Sequence, residues 1–465
     1  MSGKMKKQQI NRTHRPLPTG EIEFTLPVIN EFKSENDLKF FFVRKNKLPL
    51  VQFLFVINAG SVYDLPGKQG TANLTAMMLD EGAGGLDALQ LSDEVDMLGS
   101  HLSIRIDEDN IFISMQTLKE NLEKSFELLS KVLTKPHLEE KDFKREQRKV
   151  LTRIIQRKDS PDEVADSIFD YNLYGKDNPY AQIHLGNEKT AASITIDDIR
   201  NYYKTFFNPA SSSLIVVGDS TEEEIKNLLD QYLKEWGKRK TDLPVIPEPK
   251  RKGSRIIICH KENAKQSEIR IGHLSTKRSE GNFFARHLLN TVLGGQFSSR
   301  INLNLREDKG YTYGAFSRFN YFRHQAHLSV STSVSTENTG SAVDEILYEL
   351  KKIREGITPE ELDFAKFSVI RKFPANFETY SQVASNLSGR VIFSLPENYF
   401  NTYIDNIRNV TLDEVNLTAL KEILTEEALI GIVGDKNKIA GQLKNFPNSI
   451  IINVDEEGNE IPAGD

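Results

Sequence analysis

With a single cysteine, Cys259, in 465 residues, the chain cannot be held by an internal disulfide framework. Nor does it contain a run approaching the ~18 apolar residues of a membrane span. A basic stripe is missing too: acidic and basic residues are interspersed, the net charge is -6 and the pI about 6.0, so nothing in the charge pattern argues for nucleic acid. Near the N-terminus Lys4, Lys6, Lys7, Arg12 and Arg15 are followed by Pro16-Leu17-Pro18 rather than an apolar stretch. No signal peptide is visible, which makes the cytoplasm the expected compartment; a leader already removed from this sequence would make it the periplasm. A hydrophobic content of 38% and a mean hydropathy of -0.44 fit a large chain able to bury substantial cores. Length alone suggests about three domains.

An internal repeat favours two. Thr195-Ile196-Asp197-Asp198-Ile199 recurs as Thr411-Leu412-Asp413-Glu414-Val415, and Leu214-Ile215-Val216-Val217-Gly218-Asp219 recurs as Ile430-Gly431-Ile432-Val433-Gly434-Asp435. Both pairs lie 216 residues apart. A constant offset across a helix start and the following strand marks two copies of one folding unit. The expected organisation is a flexible segment 1–30, a domain 31–240, a linker 241–253 and a second domain 254–465. The linker stretch from Lys238 to Gly253 carries three prolines among its charges, so it cannot continue a helix and reads as solvated.

Within the first half, Leu50 to Ile57 and Ile111 to Met115 read as strands, and Ala88 to Leu98 as a helix. Leu118 to Leu133 reads as an amphipathic helix with Leu122, Phe126, Leu129 and Val132 on one face.

Gly70-Thr71-Ala72-Asn73-Leu74-Thr75-Ala76-Met77-Met78-Leu79 resembles the segment Gly-x-Ala-His-x-x-Glu-His-Met-Leu of the pitrilysin/insulinase and mitochondrial processing peptidase family. Asn73 and Met77 stand at the two zinc-binding histidines, Ala76 at the catalytic glutamate, and Arg153 where spacing puts the third ligand. In that motif two histidines four apart present nitrogens to one zinc, and the glutamate takes a proton from metal-bound water. An amide is a poor zinc ligand, a thioether is too soft for a hydrolytic site, alanine cannot act as a base, and Arg153 carries a permanent positive charge. The expectation is no metal in this chain and ordinary core roles for Ala76, Met77 and Met78.

A second motif is retained. Leu293-Gly294-Gly295-Gln296-Phe297-Ser298-Ser299-Arg300-Ile301 and Leu305-Arg306-Glu307-Asp308-Lys309-Gly310-Tyr311-Thr312-Tyr313 are similar to the family's C-terminal-domain signature. There an arginine and a tyrosine seven positions later reach the substrate carbonyl held over zinc; Arg306 and Tyr313 have that spacing. A guanidinium and a phenol suit an oxygen gaining negative charge. The residues alone also allow Arg306 to cap a helix or pair with Glu307 or Asp308, and Tyr313 to pack as a strand aromatic.

Other clusters read as structural. His324 and His327 precede an alternating strand and face opposite sides, Asp107-Glu108-Asp109 reads as a solvated turn, Tyr311 is structural, and Cys259 ends a buried apolar run.

The resemblance spans about Glu31 to Asp455. It implies an α+β fold of two homologous domains, each a mixed β-sheet packed with helices in the processing-peptidase manner, forming half of a clamshell around a polar chamber. It further implies a chain inactive alone that contributes Arg306 and Tyr313 to a zinc endopeptidase acting on peptides or unfolded segments. The zinc would sit in a homologous, motif-bearing partner subunit; in isolation the chain could form a homodimer. Ser103 and Ile104 occupy the place of the family's substrate-binding Asn-Ala, beside an edge where an extended peptide adds as a strand. Two other classes remain open: a structural core-type subunit of a larger complex, and a stand-alone peptide-binding module.

Overall fold

The computed structural model describes residues 24–237, 243–443 and 450–462. The N-terminal segment up to residue 23, residues 238–242 of the expected linker, 444–449 and 463–465 lie outside the described residues.

The first sheet is built from β1 (Asn30–Lys33), β2 (Lys39–Arg44) and β3 (Leu50–Ile57). A small ribbon of β4 (Gly82–Ala83) and β5 (Leu86–Asp87) intervenes before β6 (His101–Ile106), β7 (Ile111–Leu118) and β8 (Ser212–Gly218) complete it. The order is β1-β2-β8-β3-β7-β6. The second sheet contains β9 (Arg255–His260), β10 (Gln266–Leu274), β11 (Ala315–Tyr321), β12 (Ala326–Ser335), β13 (Leu429–Gly434) and β14 (Ile450–Val454), in the order β11-β12-β10-β13-β9-β14.

Five strands of each sheet correspond in order and direction: one parallel pair (β2 with β8, β9 with β13) followed by three antiparallel pairings. Only the outermost strand differs, because β1 pairs antiparallel from the N-terminal side and β14 parallel from the C-terminal side. The repeated helix starts correspond as well. Thr195 and Thr411 each accept the N–H of the acidic residue three positions on, Asp198 and Glu414, whose side chains reach back. This reciprocal cap satisfies two otherwise orphaned amides in each copy.

Both faces of each sheet are covered, which is why β3 is buried almost throughout rather than alternating. Val51, Phe53, Phe55 and Ile57 pack on the first half's own helices, where the Phe126 ring lies 5.1 Å from that of Phe53. Leu54 and Val56 face the other way, onto the helix Tyr380–Ile392 from the second half. The exchange is mutual. The helix Pro161–Tyr174 from the first half lies on β10 and β13 of the second sheet. Gly272 permits that approach, since a Cβ there would meet Phe169 Cζ at 3.0 Å and the Leu328 carbonyl oxygen at 1.9 Å.

Two local expectations change. The expected helix from Leu118 begins only at Leu122, because β7 runs through Leu118; Leu122, Phe126, Leu129 and Val132 are buried as the periodicity indicates. The Asp107–Asp109 turn is not solvated. Asp109 is buried, accepting the Tyr180 hydroxyl at 2.5 Å and the Arg323 N–H at 2.7 Å, so the β6–β7 turn meets the β11–β12 turn of the other half. The stretch from residue 243 to 253 has no regular structure and is exposed over much of its length, Val245 at 94%, while the Pro247 carbonyl accepts from Asn178 at 2.9 Å and Gln325 at 3.3 Å, one residue from each half. At the N-terminal side, Phe24 already packs edge-on against Phe373, 6.0 Å between ring centres.

Candidate functional site

The segment at the zinc-motif position is a short helix, Thr71–Met77. Its start is fixed by Asp64, whose carboxylate accepts the N–H of Gly70 at 2.7 Å and of Ala72 at 2.8 Å. Burial pushes Asp64 up to about 7, and these amides oppose the rise by favouring the charged form. One turn on, the Asn73 amide N–H donates to Met77 Sδ at 3.5 Å, so the two ligand positions partner each other. Ala76 is buried in the first core with Leu79, while Leu74 and Met78 pack against Phe143, Val150 and Ile154 of the helix Glu140–Arg157. Arg153 lies on that helix but its guanidinium is held by both oxygens of Glu163, at 2.8 and 2.9 Å.

An amide, a thioether and a paired guanidinium supply neither imidazole nor free carboxylate, so these residues do not fit zinc. Among the described residues no cluster of three or more histidine, cysteine or acidic side chains is arranged to hold a metal ion.

The helix packs beside β6, the terminal strand of the first sheet, whose one sheet partner among the described residues is β7. Ser103 is exposed and Ile104 half-buried on that strand, and Arg105 stacks over the Phe112 ring at 3.7 Å. The corresponding edge of the second sheet, β11, is closed. The Ser317 N–H donates to the Gly294 carbonyl at 3.0 Å, and the Asn290 amide donates to the Ser317 carbonyl at 3.1 Å. A Cβ on Gly294 would lie 2.5 Å from the Ser317 nitrogen, so only glycine lets that bond form. Nothing in the sequence singled out Asn290 and Ser317, although the Gly294-Gly295 pair was the available signal.

Arg306 and Tyr313 stand next to β11, on the second sheet, not beside Asn73 and Met77. Arg306 lies in a π-helical turn, Leu303–Asp308, with its Nε 3.3 Å from Glu307 and its guanidinium carbon 4.4 Å from the Phe297 ring centre. The loop after it is strapped on both sides. The Tyr311 N–H donates to the Leu305 carbonyl at 2.8 Å, and the Thr332 hydroxyl donates to Thr312 Oγ1, which in turn accepts the Gly314 N–H at 3.1 Å. Between these straps Tyr313 projects outward, 93% exposed. Tyr311 is half-buried against the second core, as a structural residue should be.

His327 is buried and engaged by Tyr174 at 2.7 Å and Asn320 at 2.8 Å; burial holds its imidazole down to about 3, so it stays neutral. His324 sits half-buried in the turn before it. Cys259 is buried and its thiol is pushed up to about 12, which makes it unreactive.

Two family models match the chain: insulinase (peptidase family M16) over residues 42–178, and the peptidase M16 inactive domain over 193–369. The chain belongs to peptidase family M16. The eroded motif falls in the first M16 segment, and Arg306 and Tyr313 in the second. Among M16 relatives, a protein of Helicobacter pylori described as the non-peptidase homolog YmxG is 23% identical over 384 residues, 82% of this chain and 87% of that protein. The zinc protease PqqE of the same organism is 25% identical over 348 residues, 73% of this chain and 78% of that protein. A solved structure of a peptidase M16 inactive domain from Pseudomonas fluorescens shares the fold with a TM-score of 0.82 at 21% identity, covering 88% of this chain and 98% of that one. The chain is therefore an M16 homologue without the metal-binding residues, built on the family's α+β fold. No helix among the described residues is long and apolar enough to cross a membrane.

Proposed function

We propose that this chain is the metal-free subunit of a heteromeric zinc endopeptidase of the M16 family, acting on peptides or unfolded segments. Its partner is a homologous subunit that brings the zinc motif. Arg306 and Tyr313 from this chain donate to the substrate carbonyl oxygen as it gains negative charge. The observation that carries the reading is Tyr313: a phenol 93% exposed on a loop strapped at both ends is a rigid donor presented to something outside this chain. Similarity to both a non-peptidase homolog and a zinc protease of one organism supports a division of labour between paired chains. The open β6 edge, with Ser103 and Ile104, offers a second place for an extended segment to add as a strand. Without a partner, two copies could pair as a homodimer.

A second reading, a purely structural subunit, draws on Arg306 being already engaged by Glu307 and Phe297. Turnover decides between them. The chain is combined with a zinc-motif M16 subunit, and peptide cleavage and complex formation are measured for Tyr313→Phe and Arg306→Lys. Loss of a single oxyanion donor lowers kcat on the order of a hundredfold while the complex still forms. Full turnover in both variants would leave the scaffold reading standing.

A further inference from the structure

A cavity of about 330 Å³ opens at the seam between the halves, beside β2 and the start of β8 and beneath the end of the helix Tyr380–Ile392. Three cations line it, Lys39, Arg323 and Arg390, against one carboxylate, Glu31, together with the hydroxyls of Ser212 and Ser213.

The three cations share that one carboxylate. Arg390 is only 7% exposed at its side chain, and a single nitrogen is used, Nη2 donating to Glu31 Oε2 at 2.9 Å. Among the described residues no other acceptor reaches that guanidinium, whose carbon lies 5.4 Å from the Phe41 ring centre, and both residues line the cavity. Arg323 is held by neutral oxygens, Asn58 Oδ1 at 2.6 Å and Asn110 Oδ1 at 3.0 Å, and its buried Nε has no acceptor. Lys39 forms no ion pair among the described residues. Buried Ser213 lies directly across from Lys39 in the strand register. Three cations facing one carboxylate leave an excess of positive charge along the cavity wall, and an anion that brings several acceptor oxygens balances it.

We infer that this cavity is a binding site for a phosphate dianion, either free orthophosphate or the phosphate group of a small monoester. The planar fork of Arg390 suits two phosphate oxygens, Lys39 supplies a mobile point charge at the mouth, and the Ser213 hydroxyl can donate to a third oxygen. Glu31 is the resident competitor for Arg390. The site lies on the first sheet's crossing-helix face and uses none of the residues assigned to peptide cleavage.

The test is calorimetric titration of the full chain with orthophosphate and, separately, glycerol 2-phosphate, each against chloride at equal ionic strength. One saturable site is expected for at least one of them, and the tighter ligand identifies the source. Lys39→Ala, on an exposed position, weakens binding about tenfold or more, as loss of a charge-assisted hydrogen bond requires. Ser213→Ala weakens it less. Glu31→Gln strengthens it, an outcome that loss of folding could not mimic. No saturable heat for either phosphate, or affinities unchanged in both Lys39→Ala and Glu31→Gln, overturns the site.

Discussion

Asp109 accepts the backbone N–H of Arg323 at 2.7 Å across 214 positions of sequence, and with its other oxygen takes the hydroxyl of Tyr180 at 2.5 Å. The contact joins the β6–β7 turn of one half to the β11–β12 turn of the other in a buried setting. Replacing Asp109 by alanine strands two buried donors, and we expect a loss of roughly 2–5 kcal/mol in urea denaturation. Tyr180→Phe leaves the buried Asp109 Oδ1 without its donor and should cost about 1–3 kcal/mol.

Purified protein should carry no stoichiometric zinc and should not cleave peptides alone, since Asn73 and Met77 bond to each other and Arg153 is turned to Glu163. Elemental analysis checks this. One zinc per chain, lost on substituting Asn73 or Met77, would contradict it.

Tyr313 makes no packing contribution at 93% exposure, so Tyr313→Phe should change stability by less than about 0.5 kcal/mol. Arg306→Ala should lose about 0.5–1 kcal/mol through its contact with Phe297. Thermal and urea unfolding of the isolated chain measure both, and small values ensure that any effect on turnover in a complex reflects chemistry rather than folding.

Acidity should stabilise the chain between neutral and mildly acidic pH. Burial raises Glu108 to about 7 from an ordinary 4.5, with Asp107 and Asp109 adding to the rise. The folded state therefore holds a proton that the unfolded state releases between about pH 4.5 and 7, and stability falls as pH climbs through that window. The groups facing Glu108 across its crevice include Arg157, Asp166, Asp170, His184, Arg270 and His327. Glu108→Gln should raise Tm at pH 8 and leave it nearly unchanged near pH 4.5, flattening the profile. An identical pH dependence in wild type and variant would assign the effect elsewhere.

We propose that the halves divide in the segment from Leu243 to Lys252, which has no regular structure and ends in exposed Lys250, Arg251 and Lys252. Trypsin at low ratio should cut there first, giving two fragments that remain associated through the crossed helices; mass spectrometry of the earliest products locates the site.

How far the sequence foretold this molecule depended on distance. The 216-residue offset revealed the duplication because the capped helix start and the strand after it are local patterns, and Thr195 and Thr411 show them in full. The erosion at Asn73, Ala76 and Met77 was equally plain, being a matter of ligand chemistry. The burial of Asp109 was not, since its partners Tyr180 and Arg323 are remote in sequence and an acidic turn looks solvated until they arrive. Periodicity likewise showed apolar faces without saying which sheet each would cover, and so gave no hint that Pro161–Tyr174 and Tyr380–Ile392 trade places.

That exchange has a consequence for synthesis on the ribosome. The first sheet is complete at Gly218, yet the side chains that shield Phe41, Leu54, Val56, Phe112 and Ile215 come from Phe373 through Phe400. At about 5–20 residues per second the nascent chain waits roughly 10–40 s with an apolar sheet face uncovered. During that interval the chain also carries Pro161–Tyr174, a helix whose own sheet does not yet exist and whose place in the repeat matches the missing cover. The emerging half thus exposes two apolar faces, that of its sheet and that of this helix, until the second half has been made.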